Sequence, residues 1–195
     1  MTDFDAKNEV TLAPLEDDDR EQFIADNQEA FLYGATQEFG LRDDHFEEEG
    51  QIISRKTIEE TIDSENAEAW RILFNGAKAG GLVLEIDREH KHGELALLFV
   101  APEMHSRGIG YAAWQAVETM HPEILVWETV TPYFETRNIH FYVNRCGFHI
   151  VEFYNEYHPD PNDPDSEGLF GEDQHEDMQD GMFRFVKDLR TVNHY

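Results

Sequence analysis

Seven residues, APEMHSR, separate the run ELALLFV (94–100) from Gly108-Ile109-Gly110, and a helical pattern follows at once. No other stretch limits the fold as tightly. A run that is apolar after its first residue reads as a strand buried on both faces, central in its sheet. Glycines after it permit positive φ and let main-chain N–H groups crowd round a ligand with no Cβ in the way. The helix predicted over 107–120 has Ile109, Ala113, Ala116, Val117 and Met120 on one face, and it adds the free N–H donors and positive dipole of its first turn. Together these form an anion site suited to a phosphate or pyrophosphate, with the charge of Arg107 beside it. A plain loop-to-helix turn has the same ingredients, so the surroundings must decide.

The surroundings alternate strands and helices. EVTLA (9–13) reads as a strand ended by Pro14. An acid-led helix follows, with Phe23, Ile24, Asn27 and Phe31 on one face and Gly34 as its stop. A short helix is expected from Thr57. EAWRILF (68–74) and GGLVLEID (80–87) flank Asn75-Gly76, a hairpin signal. EILVWETV (123–130) is a further strand, and residues 136–146 read as a helix closed by Gly147. FHIVEFY (148–154) and GMFRFVKDL (181–189) complete the strands. No repeat period is present.

At 195 residues the expectation is a single domain spanning 1–195 with an acidic insertion at about 155–181. That insertion holds no Lys or Arg and nine acids from Asp160 to Asp180. Asp163, Asp165 and Glu167 before Gly168 resemble a calcium loop, but the twelfth position is Gln174 where a bidentate Glu is needed. None of the ten histidines is spaced with Cys146 or an acid as a metal ligand, so no metal is expected. The formal charge of −27 opposes approach to nucleic acid and to anionic membranes. No apolar run reaches the ~20 residues of a membrane span, no secretory signal is seen, and one cysteine excludes an internal disulfide. A cytoplasmic protein is expected.

Gly108, Gly110 and Ala113 also satisfy G-x-G-x-x-G/A, and Glu128 lies twenty residues on, the pattern of a dinucleotide-binding oxidoreductase. Against this, seven residues intervene between strand and glycine, three strands precede the motif, and no further βαβ units follow it.

Two blocks in order give a better match. LLFVAPEMHSRGIGYAAW (97–114) reproduces a strand, a V-x-P turn and R/Q-x-x-G-x-G/A, with His105 where Arg or Gln is usual. NIHFYVNRCGF (138–148) reproduces N-x-x-x-x-F/Y-Y…G-F. Over residues 9–154 the chain resembles the GNAT superfamily of N-acetyltransferases. The resemblance implies an α/β fold with a mixed, mostly antiparallel sheet, two central strands splayed after a bulge, and helices on both faces. It implies acetyl-CoA as co-substrate, with backbone groups of Leu98, Phe99 and Val100 toward the pantetheine amides. The diphosphate would be held by N–H groups of His105, Ser106, Arg107, Gly108, Ile109, Gly110 and Tyr111, and the pantetheine arm by Asn138.

Acetyl transfer to an amine needs a base, donors for the thioester oxygen and a proton for the leaving sulfur. The resemblance puts Glu94 at the general-base position of the family's histone-acetylating members; a solvent-facing strand end is the other reading. Tyr142 fits the tyrosine that protonates the thiolate; a core tyrosine beside Phe141 and Phe148 is the alternative. Asn138 also fits a helix N-cap. The expected acceptor is a primary amine of a small molecule or peptide. Its cation would be drawn by Glu38, Asp43, Asp44, Glu47, Glu48 and Glu49, set against Arg42 alone, or an apolar amine would be selected by Phe31, Tyr33, Tyr133 and Phe134. Dimers are common in the family, so a homodimer stays open, as does a non-catalytic acyl-CoA-binding module.

Overall fold

Asn75 and Gly76 both take positive φ, 52° and 80°. This is the mirror-image turn whose twist suits a two-residue hairpin. It joins β2 (Ala67–Phe74) to β3 (Ala77–Asp87), and a second turn leads into β4 (His92–Val100). β1 (Val10–Pro14) pairs with β2, and the three ladders linking β1, β2, β3 and β4 in that order are all antiparallel. The computed structural model describes residues 8–38, 47, 49–155, 157–161 and 181–190. The chain divides into two compact units, Met1–Ile124 and Leu125–Tyr195.

In the first unit, α1 (Arg20–Tyr33) and α2 (Arg55–Ile62) cover one face of the strands. Phe23, Ile24 and Ala30 of α1 and Ile58 of α2 pack with Val83, Leu97 and Phe99. The rings of Phe23 and Phe99 meet edge to face at 5.1 Å. Gly81 makes room for them, since a Cβ there would stand 2.3 Å from Phe23 Cε2. The alternate residues Leu82 and Leu84 are fully buried on the other face. α3 (Ile109–Met120) lies against β1 and β4 and buries Ile109, Ala113, Trp114 and Val117.

Two helix boundaries differ from the sequence reading. Ser54, rather than Thr57, caps α2, its hydroxyl accepting the Thr57 N–H at 3.0 Å. Gly34 does not stop α1: it keeps right-handed geometry, with φ −57°, and the chain continues through a π-helical turn, Gly34–Glu38.

In the second unit, β5 (Val126–Pro132) and β6 (His149–Tyr154) each pair antiparallel with β7 (Met182–Asp188). α4 (Thr136–His140) runs into a π-helical turn, Phe141–Cys146, closed by Gly147 with φ 81°. Trp127, Phe148 and Phe185 form the buried interior here. Residues 162–180, with the calcium-loop candidates, lie outside the described residues.

Arg71 is a charge inside an apolar strand, with 3% of its side chain exposed. Its guanidinium donates to both carboxylate oxygens of Asp19 at 2.7 and 3.0 Å, and to Asp26 at 2.7 Å, while lying over the Phe23 ring. Lys78 adds a further contact to Asp19. These partners, Arg71 foremost, hold the Asp19 carboxyl below its usual range despite its burial. A depressed carboxylate adds stability that is complete above the unfolded pKa, near ~3.9, and lost as pH falls through the folded value. Asp19→Asn should therefore flatten the acid limb of a urea-unfolding profile. Arg71→Ala should cost about 2–4 kcal/mol at neutral pH, toward the lower end for a broken buried pair because Lys78 remains with Asp19.

Candidate active site

The register of β3 on β4 slips once. Val83 faces Leu97 and Leu84 faces Leu95, so Ala96 is an extra residue on β4. Such a bulge bends its strand and raises its twist. Beyond it, the Ala101 N–H donates to Ala79 O at 2.8 Å. Counting back by the alternation of an antiparallel ladder, Phe99 turns its N–H and C=O toward β3, whereas Leu98 and Val100 turn theirs away. Of the three residues expected to offer main-chain groups, Leu98 and Val100 present them outward and Phe99 gives its own to the sheet. Phe99 contributes its ring to the core instead, 4% exposed.

The loop after β4 makes two left-handed steps, Ser106 at φ 64° and Gly108 at φ 74°. Gly108 is thus the N-cap of α3 rather than part of a helix beginning at 107. A Cβ at Gly108 would meet no atom within 4 Å. The first helical bond runs from the Ala112 N–H to Gly108 O. The N–H groups of Ile109 and Gly110 stand in the first turn of α3, at the positive end of the helix dipole. Arg107 is exposed, its guanidinium 6.0 Å from the centre of the Phe74 ring. His105 turns its ring back: Nε2 donates to Val100 O at 2.9 Å, and the ring meets Tyr33 edge to face at 5.7 Å. The site accordingly combines outward carbonyl and amide groups on a bent strand with a cradle of N–H groups at a helix end. That is the donor set a pantetheine amide and a pyrophosphate need.

Glu94 sits in β4 two residues before the bulge, directly opposite Glu85. Paired residues share a face, and Glu85 shares its face with Val83, so Glu94 lies on the side covered by α1 and α2. Both carboxylates are half-buried, and Ser64 Oγ donates to Glu85 at 2.9 Å.

In the second unit, Tyr142 and Asn138 reach alternate residues on one face of β5. The Asn138 amide donates to Thr131 Oγ1 at 3.4 Å, and the Tyr142 hydroxyl is hydrogen-bonded to the Thr129 side chain. Both threonines are buried. α4 begins at Thr136, capped by Glu135, so Asn138 is inside the helix and is not its N-cap. Burial pushes the Tyr142 phenol up to about 12, although the Thr129 hydrogen bond works the other way. Its ring also touches Phe141, Phe148 and Phe185, so it is a core tyrosine and a proton-bearing group at once. The two threonines escaped the sequence reading; their signal was the T-x-T alternation in ETVTP.

Glu128, the acid that a dinucleotide site would need, lies on the opposite face of β5 and takes a two-pronged hydrogen bond from Arg184. Of the acids expected to steer a cationic acceptor, Glu47 is used locally, accepting the Ser54 N–H at 2.8 Å and the Thr57 hydroxyl at the start of α2. Glu49 is exposed. Arg42, Asp43, Asp44 and Glu48 and the side chain of Glu38 lie outside the described residues. Among the described residues, no group of three or more His, Cys, Asp or Glu is placed to hold a metal, and no helix is long and apolar enough to cross a membrane.

The acetyltransferase (GNAT) family model matches residues 15–148, and the chain belongs to that family. Uncharacterized protein YrkN of Bacillus subtilis (strain 168) is 41% identical over 191 residues, covering 94% of this chain and 97% of its own length. The ribosomal-protein-S18-alanine N-acetyltransferase from Escherichia coli aligns with TM-score 0.63 at 15% identity, over 96% of this chain and 99% of that one. Spermidine N-acetyltransferase from Vibrio cholerae, in complex with CoA and spermine, aligns with TM-score 0.59 at 15% identity, over 93% and 96%. These structural likenesses show the fold, which is the mixed α/β fold expected.

Because the Tyr142 phenol is raised to about 12, it should keep its proton throughout the neutral range. The tyrosinate absorbance of the wild type minus that of Tyr142→Phe should show no difference up to pH ~11. A difference emerging near pH 10 would place the phenol in water.

Proposed function

We propose that the protein is an acetyl-CoA-dependent N-acetyltransferase, a single catalytic domain that transfers acetyl to a primary amine of a small molecule or peptide. The observation that carries this reading is the run from the Ala96 bulge, through the outward groups of Leu98 and Val100, to the left-handed Gly108 that opens α3. Family membership supports it, as do relatives of the same fold named for N-acetylation of an alanine of a ribosomal protein and of spermidine. When bound, acetyl-CoA supplies the activated acetyl group.

The residues take these parts. Main-chain groups of Leu98 and Val100 orient the pantetheine arm, with Asn138 as a side-chain partner. The N–H groups from Ser106 to Tyr111 receive the diphosphate, the His105 N–H being already given to Pro102 O at 3.3 Å, and Arg107 adds charge. Phe99 serves by packing beneath them. Glu94 relays the proton from the acceptor amine, which as an alkylammonium has no lone pair to attack with. Tyr142 holds a proton at Oη for the leaving sulfur. With the phenol near 12 and a thiol near ~8.5, complete transfer runs uphill by roughly 3.5 pKa units, about 5 kcal/mol. Tyr142 therefore acts first as a hydrogen-bond donor that disperses developing charge. A non-catalytic acyl-CoA module on the same fold would need neither Glu94 nor Tyr142. The cytoplasm suits the reaction, where acetyl-CoA and reduced thiols are both present.

Isothermal titration should show binding of acetyl-CoA and CoA but not of NAD. Gly108→Val should weaken acetyl-CoA binding at least 100-fold, because a β-branched residue resists φ near 74° and occupies the open space before the N–H groups. Gly108→Asn tolerates that φ and controls for folding; wild-type affinity in both variants would remove the loop from the site. With an amine panel and thiol release as readout, Tyr142→Phe should keep acetyl-CoA affinity and lower kcat about 10–1000-fold, the range for one proton-transfer partner. Glu94→Gln should displace the pH–rate profile. Wild-type turnover in both would assign the chemistry to other groups.

A further inference from the structure

The geometry points to His105 as a positioning residue that braces the acyl-CoA edge of β4 against the C-terminal end of α1. The inference rests on the acetyl-CoA reading above and adds a role for a side chain that stands where the family pattern has Arg or Gln.

Three observations meet at this ring. Val100 turns its carbonyl away from β3, toward the side where main-chain groups serve a ligand, and His105 Nε2 donates to that oxygen at 2.9 Å. The ring also meets Tyr33, the last residue of α1, edge to face at 5.7 Å. His105 immediately precedes Ser106, whose φ of 64° begins the left-handed steps of the loop. The imidazole thus closes a small ring of structure: β4 to the loop by the main chain, the loop to β4 through Nε2, and the loop to α1 through Tyr33.

The chemistry of the brace follows from its donor. A carbonyl oxygen only accepts, so Nε2 carries the hydrogen of the bond to Val100 O. A carbonyl oxygen has two lone pairs, so Val100 O can accept from His105 and from one further N–H. The brace therefore holds the carbonyl's direction without using up its capacity. Arg or Gln could supply a donor at this position, but neither supplies the edge-to-face contact with Tyr33. That contact ties the α1 end, and the π-helical turn that follows it, to the edge of β4.

Two substitutions separate the two contacts. His105→Phe keeps a ring against Tyr33 and removes the donor. His105→Gln keeps a donor and removes the aromatic contact. Acetyl-CoA titration calorimetry at pH 7 should give about tenfold weaker binding for His105→Phe, the loss of about one hydrogen bond's worth of alignment. His105→Gln should recover part of that loss. Tyr33→Leu should also weaken binding, although Tyr33 is separated from Val100 by the imidazole, and the double variant Tyr33→Leu/His105→Phe should be less than additive. Thermal melts of the same variants identify any that fail to fold. Wild-type affinity in a folded His105→Phe, or no recovery in His105→Gln, would overturn the brace. Failure of the wild type itself to bind acetyl-CoA would instead overturn the acetyltransferase reading.

Discussion

A main-chain group can satisfy its hydrogen bond on one side of a strand only, and the site in this protein depends on how β4 divides its groups. Alternate residues give theirs to β3, as the Ala101-to-Ala79 bond shows at the end of the ladder. Leu98 and Val100 direct theirs the other way. The Ala96 bulge lies just before them, so the strand bends and twists immediately before the section whose Leu98 and Val100 groups turn away from β3. Everything else on this unit sustains that arrangement. Phe23 on Phe99 fixes the face, Gly81 lets the rings approach, and the left-handed Gly108 opens α3.

The cost of this arrangement is polar structure inside the core, and the chain offsets it by pairing. Arg71 is buried, but it is met by Asp19 and Asp26 and lies over an aromatic face. Removing one member leaves a charge with too few partners, which is more harmful than never having had the pair. Tyr142 illustrates the same rule in the second unit. Its hydroxyl is buried among three aromatic rings, yet Thr129 keeps it hydrogen-bonded. A phenol so placed keeps its proton throughout the physiological range.

Local chemistry made much of this legible in the sequence. Glycine at 76, 108 and 147 marks positions that do take positive φ, and each ends or begins the element expected there. Periodicity placed the strands and α3 within a few residues. What stayed hidden depends on partners distant in the chain or on hydrogen-bond register. Leu95-Ala96-Leu97 reads as an unbroken apolar run, and nothing in its composition announces an extra residue. Arg71 in EAWRILF finds its partner 52 residues away, at Asp19. The π-helical turn at 141–146 has helical periodicity and a different bonding step. Ser54 competes with Thr57 as a cap, and only the geometry of the helix start decides between them.

The division of β4 can be read directly by amide hydrogen exchange in the presence and absence of coenzyme A. If the outward edge and the N–H cradle hold the cofactor, exchange should slow at Leu98 and Val100 and across residues 106–111. Phe99, already bonded to β3, should change little. Slowing that is uniform over the first unit, or absent from 98–111 while coenzyme A is bound, would contradict the account.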